Sequence, residues 1–580
     1  MSDKLWFVVT AQGESFLATT KNSKLIEQQK GLLIIHGHFY QPPRENPWTG
    51  TVDPEPSAHP FHDWNERVYA ECYQPNCAVQ IVDAKTKREQ IVNNYAQISF
   101  DFGPTLLSWL ERQHPETYAC IIAADVASAG KHGGHGNALA QAYNHTILPL
   151  SNERDQRTQI RWGLADFRHR FNRDAEGMWL AETACNDHVL GLLIDEGLRF
   201  VILAPQQAER VRSKTGIHAG STGIPPGSPA AQPRWGGPGG HEQAGKSVPL
   251  DGWQMVDGNT IDTSIAYNYF HRDGSGRSIA VFFYDQELAH GIAFGNALDS
   301  SASLVDRLAG AATRNGHAGP LTNVATDGES YGHHHKFGDL CLAYALETDA
   351  PARGFRVTNY GEYLDQYPPA AEVELSHGCE GEGSSWSCAH GVSRWIRDCG
   401  CHTGGEPGWN QAWRLPLRNA LDFLRDEAAK HFEATRGDLF VDPWTARDDA
   451  ISLILDQQES REAFLARHAP RGLTRDEEQR SLLFLELQRD ALLMYTSCGW
   501  FFNDISGLEP IQILKYASRA IDLMDQLGLP SPRERFLELL AEAKSNRPEF
   551  GNGAEIYQRL VEPANPEFWP HQEKLTETLA

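Results

Sequence analysis

Over its first 340 residues the chain alternates short apolar runs with helical patterns, and this alternation limits what it can fold into. Runs at 32–35, 97–102, 177–181, 200–203, 278–284 and 321–326 read as strands. Stretches such as 106–112 and 302–312 between them carry helical spacing. Strands alternating with helices call for a parallel sheet, and six or seven such units predict an α/β fold, a TIM-like barrel. The barrel is expected over 31–340, after a polar extension at 1–30. Residues 214–250 are dense in Gly and Pro and read as an irregular insertion. Beyond 340 the helical period takes over, at 412–432, 446–468, 475–495, 510–527 and 532–545. Residues 341–580 are therefore expected to form a C-terminal α-helical domain packed on the barrel. Within it, 371–409 is rich in Gly, Cys and Ser and reads as an ordered loop.

A chain of 580 residues is too long for one hydrophobic core. Its 52 Lys and Arg face 76 Asp and Glu, a formal charge of -24. Nucleic acid and anionic membranes select basic surfaces, so neither is expected as a partner, and a neutral substrate fits better. No run is long enough to cross a bilayer. The opening MSDKLWFVVTAQGES lacks a signal-peptide pattern, and ten Cys read as mostly reduced thiols, so a cytoplasmic location is expected. The string from Gly240 to Ser247 fits the phosphate-loop spacing G-x-x-x-x-G-K-S. It has no strand before it, and Pro249 interrupts any helix after it, so a chance match is the better reading.

Two acidic residues follow apolar runs. Trp179-Leu180-Ala181 leads to Glu182, and the run at 321–326 leads to Asp327. A carboxylate at the exit of a buried strand is fixed in place yet open to substrate. Two of them suit glycosidic bond cleavage. In a retaining enzyme one attacks the anomeric carbon, the other protonates the leaving oxygen, and they stand about 5–5.5 Å apart. Glu182 is the better nucleophile and Asp327 the better acid/base; the alternative is that each caps a helix or pairs with an Arg.

The strings that carry these residues resemble glycoside hydrolase family 57. His36-Gly37-His38-Phe39-Tyr40-Gln41-Pro42 is similar to the family's first signature, with Phe39 and Tyr40 between the His and the Gln-Pro. Residues 134–149 fall where the second signature belongs and match it poorly. Trp179-Leu180-Ala181-Glu182 resembles the nucleophile signature, and Asp327-Gly328-Glu329-Ser330-Tyr331-Gly332-His333 the acid/base signature. Tyr495 through Phe501 looks like an aromatic signature that the helical region adds to the cleft. The resemblance implies a distorted (β/α)7 barrel followed by a helical domain. It further implies a retaining double displacement on an α-glucan or oligosaccharide, with no cofactor and no metal. Family members include α-amylase-like hydrolases, 4-α-glucanotransferases, branching enzymes and α-galactosidases.

His36, His38, Trp179, Glu329, His333, Trp386 and Trp500 are the expected substrate-binding residues. His36 and His38 could instead ligate a metal with Asp327, as in a polysaccharide deacetylase or α-mannosidase on a related barrel. A non-catalytic carbohydrate-binding protein is a third reading. Cys388-Ala389-His390 and Cys399-Gly400-Cys401-His402 offer zinc-ligand types without the usual C-x-x-C pairing, so packing thiols or a disulfide are expected there.

Overall fold

The computed structural model describes residues 31–82, 87, 89–213, 252–314, 319–455 and 459–566. The extension at 1–30, the insertion at 214–250 and the string from Gly240 to Ser247 lie outside the described residues.

Seven parallel strands form the centre: β1 (Gly31–Phe39), β2 (Ser99–Phe102), β3 (Ala138–Gln141), β4 (Gly177–Trp179), β5 (Phe200–Leu203), β6 (Ser278–Phe283) and β7 (Leu321–Asp327). Their spatial order is β7-β1-β2-β3-β4-β5-β6. Every residue of β1 is buried, as expected of a parallel strand covered on both faces, which is why its sequence is apolar without alternation. Because the strands are parallel, their carboxyl ends share one rim. β3 escaped the sequence reading: Ala138-Leu139-Ala140-Gln141 is short and alanine-rich, and alanine is a poor strand former.

The barrel does not close by a regular ladder. Asn323 of β7 bridges the gap, its side-chain amide donating to Phe283 O at 2.9 Å and its carbonyl accepting from Asp285 N at 2.8 Å. Beyond β6 the sheet continues through antiparallel 266–270, then 371–375, 208–213 and 254–255. These additions carry the first hydrophobic core past residue 340 to Leu375.

A second core links α1 (Glu153–Phe171) to α2 (Arg414–Glu433), α3 (Arg475–Leu493), α4 (Leu508–Gln526) and α5 (Arg533–Leu540). The start of α3 follows from a capping box, with Thr474 N donating to Glu477 Oε2 at 2.8 Å and Glu477 N to Thr474 Oγ1 at 3.4 Å. The helical pattern at 446–468 is instead broken into Pro443–Asp449, Ile451–Ile454 and Arg461–His468. No helix among the described residues is long and apolar enough to cross a membrane.

Candidate active site

The strand register builds the first wall of the site. His38 of β1 lies opposite Asp327 of β7 on one side and Asp101 of β2 on the other. Asp101 is fully buried and binds two rings: His36 Nε2 at 3.0 Å and His38 Nδ1 at 2.9 Å. His38 Nε2 lies 3.2 Å from His145 Nε2, and His145 Nδ1 is 2.7 Å from Ser497 Oγ. Burial works against charge on His38, but the Asp101 carboxylate outweighs it and lifts the ring to about 9. Burial, reinforced by the neighbouring His38 charge, holds His145 well below the usual imidazole range. A cationic His38 donating from both nitrogens, to Asp101 and to a neutral His145, satisfies every one of these contacts.

Trp179 is fully buried beneath this wall, stacked on His36 at 4.8 Å and on His38 at 5.0 Å between centroids. Its expected contact with substrate gives way to a supporting role, because the two histidine rings cover its face. His36 is likewise fully buried. Tyr40 stacks on His145 at 3.7 Å, and its backbone N–H donates to Glu329 Oε1 at 3.0 Å. Glu329 also accepts from the Tyr73 hydroxyl at 2.7 Å. Burial and the charge of Asp327 raise Glu329 to about 7. Glu329, with 5% of its surface exposed, holds Tyr40 in place.

Glu182 arrives from β4 on a strained turn. Its backbone lies in the left-handed region at φ 56°, ψ 22°, and Thr183 follows at φ 52°. Each such residue costs about 1–3 kcal/mol and persists only where its surroundings enforce it. Here Gln207 Nε2 donates to Thr183 O at 2.9 Å, and Thr183 Oγ1 to Gln207 Oε1 at 2.8 Å. Cys185 and Ser384 exchange backbone hydrogen bonds at 2.9 Å each, and Trp386 N donates to Glu182 O at 3.0 Å. The same loop grips the carboxylate: Trp386 Nε1 and Ser387 Oγ both donate to Glu182 Oε2 at 2.7 Å.

Asp327 has different surroundings. Solvent reaches it from the opening, yet it sits deep in the protein. Burial raises its carboxyl to about 6, with the negative charges of Glu182 and Asp101 adding to the rise and His38 opposing it. Trp386 links the two acids' surroundings. It binds Glu182, meets His38 edge-on at 6.3 Å, and meets Tyr284 at 6.3 Å. Tyr284 in turn feels the charge of Asp327.

The structure thus gathers Glu182, Asp327, His38 and Trp386 at one rim, with His36, Trp179 and Glu329 behind them. His333 is not part of this group; it pairs with Glu71 and lies edge-on to Trp64. Trp500 is fully buried, its indole N–H donating to Arg414 O at 3.2 Å and its ring covered by Arg418 at 4.6 Å. No face of it is left for a sugar, so its expected contact is corrected. The segment it belongs to contributes Ser497 instead, through backbone pairing of 496–497 with 145–146. Asp101, His145, Tyr40 and Ser387 were missed. Asp101 had a signal, a lone charge inside the apolar run Ser99-Phe100-Asp101-Phe102.

An α/β barrel with paired acids at the carboxyl rim defines a class, and comparison with known proteins supplies its name. The model of glycosyl hydrolase family 57 matches residues 27–376, and the chain belongs to that family. A domain of unknown function, DUF3536, matches residues 409–569. The exo-type maltose-forming amylase of Pyrococcus sp. ST04 shares the fold, with a TM-score of 0.61 at 12% identity over 95% of this chain and 94% of that one. Alpha-amylase 1 of Dictyoglomus thermophilum is 27% identical over 107 residues, 18% of this chain, and the match spans only 15% of that relative's length. The distorted (β/α)7 barrel and helical region expected from the sequence are those of this family.

Proposed function

We propose that the chain is a retaining glycosidase or transglycosylase of α-glucans, with Glu182 as nucleophile and Asp327 as acid/base. One observation carries the reading: the Glu182 charge acts on Asp327, while only Glu182 is gripped by hydrogen-bond donors. The indole N–H and the hydroxyl hold one carboxyl oxygen in a fixed orientation, as positioning of a nucleophile requires. A carboxyl raised to about 6 keeps its proton up to that pH, well above the ordinary carboxylate range.

In the first step a Glu182 oxygen bonds to the anomeric carbon, the glycosidic C–O bond breaks, and the leaving oxygen takes the Asp327 proton. In the second, Asp327 takes a proton from water or a sugar hydroxyl. That oxygen attacks the same carbon and releases Glu182. The cationic His38 beside Asp327 opposes the rise in its pKa, so the carboxyl can still release its proton to the leaving oxygen. The names of the two amylases support α-glucan as the substrate class. The reading carries no nucleic-acid or membrane partner and a cytoplasmic location.

The metal-dependent alternative fits less well. Its ligands would be His36, His38 and Asp327, but His36 Nε2 and His38 Nδ1 are bound to Asp101, and His38 Nε2 to His145.

Incubation with maltooligosaccharides and a panel of aryl α-glycosides, with products sized by chromatography, tests the proposal. Shorter products alone mean hydrolysis, and longer ones mean transfer. No conversion of any member overturns it.

A further inference from the structure

Beside the Glu182 clamp lies a group of side chains that the reaction does not use. Cys388, His390, Cys399 and Cys401 bring their ligand atoms within 4.8 Å of one another. Cys388 Sγ is 3.9 Å from Cys399 Sγ and 3.8 Å from Cys401 Sγ, and Cys401 Sγ is 3.5 Å from His390 Nδ1. These lengths have a physical meaning. A tetrahedral zinc with Zn–S of about 2.3 Å and Zn–N of about 2.0–2.1 Å requires S···S edges of about 3.8 Å and S···N edges of about 3.6 Å. All three thiols are free, and three thiols that converge with one imidazole exceed what any single disulfide would organise.

Backbone amides face two of the sulfurs. The peptide N–H groups of His390 and Arg394 face Cys388, and that of Cys401 faces Cys399. Such amide donors stabilise negative sulfur and orient it, as outer contacts do around metal sites. Gly400, between two of the cysteines, is at φ 80°, and Gly391, just after His390, is at φ 83°. Both turns need the left-handed backbone that glycine tolerates, and both fold the ligands back toward one point. Three thiolates and one imidazole in tetrahedral array select zinc among the common divalent ions, and the span leaves room for one ion.

We propose that Cys388, His390, Cys399 and Cys401 bind one structural zinc ion, which fastens the loop that grips Glu182 to the helical region. The connection is short. Ser387 and Trp386, the two donors to Glu182, immediately precede Cys388. At the other end, the buried Arg414 at the start of α2 donates to Cys401 O at 3.0 Å. Arg394 adds a bond to Ser387 O at 3.1 Å. The sequence expectation of packing thiols is thereby replaced. Metal binding itself does not depend on the α-glucan reading, since a chain that binds zinc and leaves glucans untouched would keep this inference and lose that one.

The test is metal analysis of the full chain, purified without a metal-affinity step. The expected result is one zinc per chain, falling to background in a Cys399→Ser/Cys401→Ser variant. Should that variant fail to fold, wild-type protein stripped by chelator under reducing conditions and titrated with Co²⁺ gives the second readout. It should develop the absorption of thiolate-bound tetrahedral cobalt, and added zinc should erase it. Wild-type protein without zinc and without that cobalt spectrum overturns the site, as does a disulfide among the three cysteines in the freshly purified chain. Hydrogen exchange over 180–188 and 383–388 should quicken on stripping, and unchanged exchange overturns the fastening role.

Discussion

Glu182 and Asp327 are both carboxylates at the rim of one barrel, yet their surroundings are opposite. Glu182 sits on a strained left-handed turn and shares one oxygen between two donors at 2.7 Å. Asp327 ends a regular strand with its side chain open to solvent, is partly desolvated by the surrounding protein, and faces the charge of its fellow acid. The first environment fixes one carboxyl oxygen in place, and the second strengthens the carboxyl's hold on a proton. One functional group in two settings suits the two roles proposed for the pair.

The sharpest way to break this contrast is Glu182→Gln, which removes the charge and keeps the shape. Turnover should fall by on the order of 10³-fold or more, as when other covalent nucleophiles are removed. Circular dichroism and thermal unfolding should show the fold intact. A rate near wild type ends the nucleophile assignment.

Asp327→Asn tests the other half. Substrates with poor leaving groups should lose roughly 10²–10⁴-fold, the usual range for general acid catalysis, while activated aryl glycosides lose far less in the first step. The wild-type pH profile bears on the same point. The acid must be protonated before bond cleavage, so kcat/KM should fall as pH rises through about 6, the value to which Asp327 is raised. In Asp327→Asn that alkaline limb should vanish. An equal loss on both substrate types, with the limb retained, would assign the acid elsewhere.

The smallest effect is expected from Trp386→Phe, which keeps an aromatic side chain and deletes one donor to Glu182. A hydrogen bond to a charged group contributes about 1.5–3 kcal/mol, so kcat should drop roughly tenfold to a hundredfold. Asp327 should keep its alkaline limb, because its own neighbours are unchanged. A shifted limb with unchanged kcat would show that Trp386 serves the acid rather than the nucleophile.

Much of this contrast could be read from the chain before folding. The apolar runs that became β1, β4 and β7 placed His38, Glu182 and Asp327 near strand ends, because a buried parallel strand leaves a continuous apolar mark. The helices of the second layer were visible by their period. β3 was not, since four residues with two alanines carry no strand signature. Trp500 misled, because an aromatic side chain looks the same in sequence whether it lines a cleft or fills a core. Asp101 left a trace as one charge in an apolar run, but its two histidine partners are 63 and 65 positions away.

Sequence alone therefore settled the alternation of elements, and with it the barrel and the two acids at its rim, since these follow from local periodicity. Three-dimensional folding decided which acid would be gripped and which left to hold a proton. That choice depends on Trp386 and Ser387, some two hundred residues downstream of Glu182, and on His38 and Asp101 across the sheet. Local pattern cannot encode such meetings, because hydrogen bonds and burial act through space and take no account of separation along the chain.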